Sequence, residues 1–212
     1  DSILTSKVKS NHPGIAVGIL KDGKIIYEKY LGLANLQHQV KFDENTRSNI
    51  ASTAKQFTAL MILQLSLDNK LSLEDDIRIY LPEMHDFEPK ITINHLLNHT
   101  SGLKDQYNLL RLSGWTLDDV ITNDQVLHII YNQKTLNFTP NEKHMYSNAN
   151  YTLLAEIVAR VSEMSFAEFT HQRIFKSLQM HDSKFVDQAG QVVKNRSLSY
   201  FKVDSTYVED LF

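Results

Sequence analysis

Apolar positions recur along this chain with two different periods. Near the start, Gly14-Ile15-Ala16-Val17-Gly18-Ile19-Leu20 and Lys24-Ile25-Ile26-Tyr27-Glu28-Lys29-Tyr30 are β-rich runs on either side of Asp22-Gly23. A dipeptide that tolerates positive φ between two such runs predicts a β-hairpin. Two strands are not stable alone, so the hairpin is expected to belong to a larger sheet. After Leu33 the spacing becomes helical, and residues 52–68, 92–98, 124–131, 148–162 and 165–178 are each predicted to form a helix. Pro82, Pro89 and Pro140 interrupt the chain between these segments. Beyond the last helix only short β-like pieces stand out, residues 184–186 and 191–193. The pattern therefore predicts an α+β fold, an antiparallel sheet packed with a large helical region. One domain is expected over 1–212: a helix and sheet hairpin in 1–50, a mainly helical region in 51–180, and a return to the sheet in 181–212. The sheet lacks partners, so further strands are expected beyond Phe212.

Composition narrows the possibilities. With 42% hydrophobic and 22% charged residues, the 212-residue chain can bury a core. Its formal charge of -3, with acids and bases mixed, offers no basic face to a nucleic-acid backbone. The most apolar stretch, from Phe57 to Leu67, is too short to span a bilayer. There is no cysteine, which removes disulfides, thiolate metal sites and a cysteine nucleophile. The first residue is Asp1, which fits a mature exported protein; a periplasmic or extracellular location is expected, with any membrane anchor in a part not shown.

Candidate chemistry begins at Ser52-Thr53-Ala54-Lys55. The S-x-x-K spacing alone is weak, because Ser6/Lys9, Ser101/Lys104 and Ser199/Lys202 share it. Context separates them: Lys55 is the one charged residue between Ala51 and Leu67, in a segment with apolar side chains around nearly its whole circumference. Such a helix is expected to be central and buried. A lysine there loses hydration that only a partner or a function offsets. At i, i+3 the two side chains share a helix face, so the amine can reach the hydroxyl and take its proton during attack, while the helix N-terminus favours an oxyanion nearby. The bland alternative makes Ser52 a helix N-cap and Lys55 a snorkelling first-turn residue. Tyr146-Ser147-Asn148, the one Y-x-N in the chain, follows the break at Pro140. It places a second proton-transfer group and an amide before a helix, although a packed Tyr and an Asn N-cap would look the same.

Three segments taken in order change the weighing: Ile50-Ala51-Ser52-Thr53-Ala54-Lys55-Gln56-Phe57-Thr58-Ala59, then Leu96-Leu97-Asn98-His99-Thr100-Ser101-Gly102-Leu103, then Tyr146-Ser147-Asn148. In these the chain resembles the serine β-lactamase and penicillin-binding-protein superfamily, most closely the branch with class C β-lactamases, D-alanyl-D-alanine carboxypeptidases and related esterases and peptidases. The resemblance implies an acyl-enzyme on Ser52, with Lys55 and Tyr146 managing its proton and Asn148 positioning substrate. It implies no metal or organic cofactor. Its substrate would be a β-lactam, a D-amino-acid peptide or an ester, with a peptidase or esterase favoured over a specialised lactamase. His99-Thr100-Ser101-Gly102 looks like a structural turn in which Gly102 ends a helix.

The departures are informative too. The family's third motif, Lys-Thr-Gly or His-x-Gly on a late strand, has no counterpart before Phe212, so residues 1–212 alone are expected to be inactive. Asn141 and Gln179 stand where related sequences often have Gly, and Ser177 where Pro is common. His95 and His99 have i, i+4 spacing but lack the Glu of H-E-x-x-H, and neither G-x-S-x-G nor a phosphate-binding glycine loop is present. The rival from another class is a non-catalytic cell-wall peptide-binding or scaffolding protein that keeps the fold.

Overall fold

The computed structural model describes residues 2–116, 119–188 and 190–210. Two compact units emerge, one of residues 1–51 with 190–212 and the other of residues 52–189.

Among the described residues, the first unit contains a short helix, α1 (Ser2–Lys7), and three separate two-stranded antiparallel sheets. Strands β1 (Ile15–Lys21) and β2 (Lys24–Leu31) form the predicted hairpin, with Lys21 opposite Lys24 and a register shift between Ile19 and Leu20. Asp22 (φ 50°) and Gly23 (φ 72°) both lie in the left-handed region, the requirement of a two-residue turn whose twist matches the strands. The second sheet pairs β3 (Leu33–Asn35) with β4 (Val40–Lys41). The third pairs β5 (Ser199–Val203) with β6 (Thr206–Asp210). Residues 184–186 and 191–193 are not strands, which corrects the expectation for both pieces. Each piece holds only two apolar residues after a polar one and has no intrinsic reason to extend; β5 and β6 are longer and meet across a two-residue connection, so they pair locally.

The second unit is helical. It holds α2 (Lys55–Leu67), α3 (Ile93–Leu97), α4 (Gln106–Leu112), α5 (Asn123–Tyr131), α6 (Asn148–Ser162) and α7 (Phe166–Thr170). Helix α6 is its centre: Leu153, Leu154, Ile157 and Val158 are fully buried against Met61 and Ile62 of α2, Ile93 and Leu96 of α3, and Ile130 of α5. Caps account for several starts. Thr92 and Thr122 form capping boxes with His95 and Gln125, and Ser165 accepts from the Glu168 N–H. Together these elements make the molecule α+β. Among the described residues, no helix is long and apolar enough to cross a membrane.

Four local features differ from expectation. Helix α2 is not buried all round: Met61, Ile62 and Leu65 are covered, whereas Leu60, Leu63 and Leu67 are exposed. The predicted 165–178 helix ends at Thr170 and continues as a π turn, His171–Phe175, where the Thr170 hydroxyl bonds back to the Phe166 carbonyl. Helix α4 was absent from the periodicity reading, because its seven residues bury only Gln106 and Leu110. Finally, Gly102 does not end a helix. His99 (φ 55°) takes the left-handed position after α3, with the Thr100 N–H closing onto the His95 carbonyl. Gly102 (φ 77°) is required for a different reason, since a Cβ there would lie 2.1 Å from the Phe138 carbonyl oxygen.

Candidate active site

Ser52 lies in a 3₁₀ turn, Ala51–Ala54, that runs directly into α2, and Lys55 is the first residue of that helix. One turn of chain brings the Lys55 Nζ within 3.0 Å of the Ser52 Oγ. Ser52 therefore does not cap the helix. Its hydroxyl has a second neighbour, the Tyr146 Oη at 2.9 Å, from a residue 94 positions away. Nor does Lys55 snorkel to water: Nζ also donates to the Asn148 Oδ1 at 3.0 Å, and lies 5.1 Å from the Tyr146 ring centroid and 5.7 Å from that of Tyr151. The structure thus gathers Ser52, Lys55, Tyr146 and Asn148 into one hydrogen-bonded group.

The amide orientation of Asn148 follows from its neighbours. Its Nδ2 donates to the Asp105 Oδ2 at 2.9 Å, so Oδ1 is the end that faces Lys55 and Tyr146. An amide oxygen only accepts, so Oδ1 offers the Tyr146 hydroxyl an acceptor at 3.1 Å. Across the 2.9 Å contact between the Tyr146 Oη and the Ser52 Oγ, either hydroxyl is able to donate. The Lys55 Nζ lies 3.0 Å from the same Ser52 oxygen, within reach of the proton that must leave during attack.

Behind the group sits His99. Its carbonyl accepts from the Met145 N–H at 2.9 Å and its Nδ1 from the Ser147 N–H at 3.3 Å, so it grips the chain on both sides of Tyr146. A backbone N–H can only donate, which makes Nδ1 the unprotonated nitrogen and Asn150 Nδ2, 3.1 Å away, a second donor to it. Asn150 is completed by the Ser101 Oγ–H, which donates to its Oδ1 at 2.6 Å. Burial, then His144 and Lys55, push the His99 imidazole below its ordinary value, in keeping with a neutral ring. Burial also raises Tyr107 and Tyr151.

His95 accepts a backbone N–H from Thr92 on its own Nδ1, so the i, i+4 histidines serve local structure. Among the described residues, no group of three or more His, Asp or Glu side chains is placed to hold a metal ion. Two residues of this neighbourhood escaped the sequence reading, Asp105 and the supporting role of His99. Asp105 carried a signal, since an Asp two residues after Leu103 and before a short apolar run reads as an N-cap, and it does cap α4 through the Tyr107 N–H at 3.0 Å.

Comparison with known proteins adds a family. The family model described as Beta-lactamase matches residues 1–210. The chain is 34% identical over 183 residues to penicillin-binding protein 4* of Bacillus subtilis, covering 86% of this chain and 38% of that protein. It is 30% identical over 174 residues to a D-aminopeptidase of Brucella anthropi, covering 82% of this chain and 33% of the relative. Among solved structures, the octameric penicillin-binding protein homologue from Pyrococcus abyssi superposes with a TM-score of 0.81 at 28% identity, over 93% of this chain and 46% of that one. The chain thus spans well under half the length of these curated relatives.

Proposed function

The chain belongs to the β-lactamase family, and on that premise we propose that it carries the nucleophile and proton-transfer groups of a serine acyl-transfer hydrolase. The observation that carries this reading is the position of the Ser52 Oγ, within hydrogen-bond reach of both the Lys55 Nζ and the Tyr146 Oη. In the first step Ser52 attacks a carbonyl carbon while Lys55, in its amine form, takes the hydroxyl proton. The carbonyl oxygen becomes an oxyanion beside the N–H groups of the first helical turn. Collapse expels the amine or alcohol, which recovers a proton through Lys55 or Tyr146. In the second step water attacks the Ser52 ester with the same groups acting in reverse, and the acid is released. Asn148, already bonded to Lys55, is proposed to orient that amine and to meet the acyl group.

The relatives support an amide or peptide as the bond cleaved, and within that class we favour a D-amino-acid peptide, with esters next. A β-lactam would acylate the same oxygen, and slow release would then make it an inhibitor rather than a substrate. The test is intact-mass analysis of full-length protein, wild type and Ser52→Ala, after incubation with benzylpenicillin and separately with a fluorophosphonate. A mass increase on the wild type alone is the expected result. Folded wild type that gains no mass from either reagent would overturn the reading and leave a non-catalytic peptide-binding protein in its place.

A further inference from the structure

We propose that Asp105 is a positioning residue for this reaction, acting through Asn148 on Lys55 and Tyr146; the inference rests on the acyl-transfer reading above. A single oxygen, Oδ2, accepts both the Asn148 backbone N–H at 2.7 Å and its side-chain Nδ2 at 2.9 Å. Two bonds from one residue onto one atom fix where the side chain leaves the backbone and where it ends. The opposite end of that amide, Oδ1, is the common acceptor for Lys55 and Tyr146. Asp105 thus sits one side chain behind the groups that move the Ser52 proton. A carboxylate on Nδ2 also polarises the amide and makes Oδ1 a stronger acceptor.

The placement of Asp105 is itself over-determined. Its Oδ1 caps α4 through the Tyr107 N–H, and the next residue, Gln106, accepts the Thr152 hydroxyl of α6 at 2.7 Å. Helix α6, meanwhile, has no side-chain cap from its own N-cap residue. Ser147 occupies the N-cap position without a side-chain capping bond, and its buried hydroxyl has no hydrogen-bond partner among the described residues. A carboxylate from another helix does the capping instead, and the residue it caps is Asn148. A serine cap would satisfy a helix N–H equally well; only the carboxylate also holds the Asn148 amide.

The test is a double-mutant cycle on full-length protein, read as kinact and KI for a fluorophosphonate, with thermal unfolding followed in parallel. Asp105→Ala is expected to lower kinact by about 10–100-fold, the scale of a misplaced reacting group, with KI changed by less than about twofold. In an Asn148→Ala background the same substitution is expected to change kinact by less than about twofold, because the residue it acts through is gone. If Asp105→Ala does not fold, Asp105→Asn, which keeps one oxygen, completes the same cycle with a smaller loss in the wild-type background and none in Asn148→Ala. Equal losses in both backgrounds, or no loss in either, would overturn the positioning role while leaving the serine reading intact. Wild type that is never labelled at Ser52 would overturn both.

Discussion

The ring of Tyr146 lies over the imidazole of His99, with centroids 4.5 Å apart and planes tilted by 33°. The same imidazole and its carbonyl hold the backbone on either side of Tyr146, so the aromatic body is supported while the hydroxyl end reaches Ser52. Support and chemistry therefore come from different atoms of one residue, and substitution can separate them.

Tyr146→Phe keeps the ring and removes Oη. It is expected to slow acylation of Ser52 by about 10²–10⁴-fold, the usual worth of a general acid–base group. Its unfolding free energy should stay within about 0.5 kcal/mol of wild type, because the residue is 46% exposed. Lys55→Ala should give a rate loss on the same scale. Stopped-flow acylation and urea unfolding read the two quantities, and a Tyr146→Phe protein that acylates at the wild-type rate would remove Tyr146 from the proton path.

A pH dependence of stability follows from His99. Its folded value lies below the ordinary 6.5, so between the two values the unfolded chain binds more protons than the native one. Stability is then fully present above about pH 6.5 and falls as pH is lowered toward the folded value. Protonation would also break the bonds that Nδ1 accepts from Ser147 and Asn150. His95, lowered chiefly by burial, adds a contribution of the same sign. His99→Asn should therefore flatten, without abolishing, the slope of the urea midpoint between pH 7.5 and 5; an unchanged slope would assign the effect elsewhere.

Gly102→Ala tests the turn that carries Ser101. A methyl group 2.1 Å from a backbone oxygen, at φ 77°, forces the chain at Phe138 to move. A loss of about 2–4 kcal/mol in urea unfolding is expected.

The opposite change is expected at Gln179. It holds φ 56° where the Met180 N–H closes onto the Phe175 carbonyl, a position that glycine occupies without strain. Gln179→Gly should raise stability by about 0.5–1 kcal/mol, measured in the same way. Asn141, the other position where related sequences often have glycine, also has positive φ, at 69°.

Much of the architecture was legible from local pattern. The Asp22-Gly23 turn and the apolar stripe of α6 depend on neighbours within a few residues, so the chain itself specifies them. The contact between Lys55 and Ser52 belongs to the same class, since three residues of helix bring them together. Sequence resemblance added Tyr146 and Asn148 to that pair. What pattern did not reveal were elements whose side chains report little burial, such as α4, and the wider turn after Thr170.

By itself, then, the sequence determined helices α2, α3, α5 and α6, the hairpin turn and one pair of reactive side chains, because period, turn residues and i, i+3 spacing are short-range physics. Only the tertiary structure decided that Tyr146 meets Ser52 across 94 residues and that Asp105, 43 residues from Asn148, grips its amide. Those contacts depend on how α6 packs against α2, α3 and α4. That packing is set by the shape of a shared apolar core, which no stretch of sequence encodes alone.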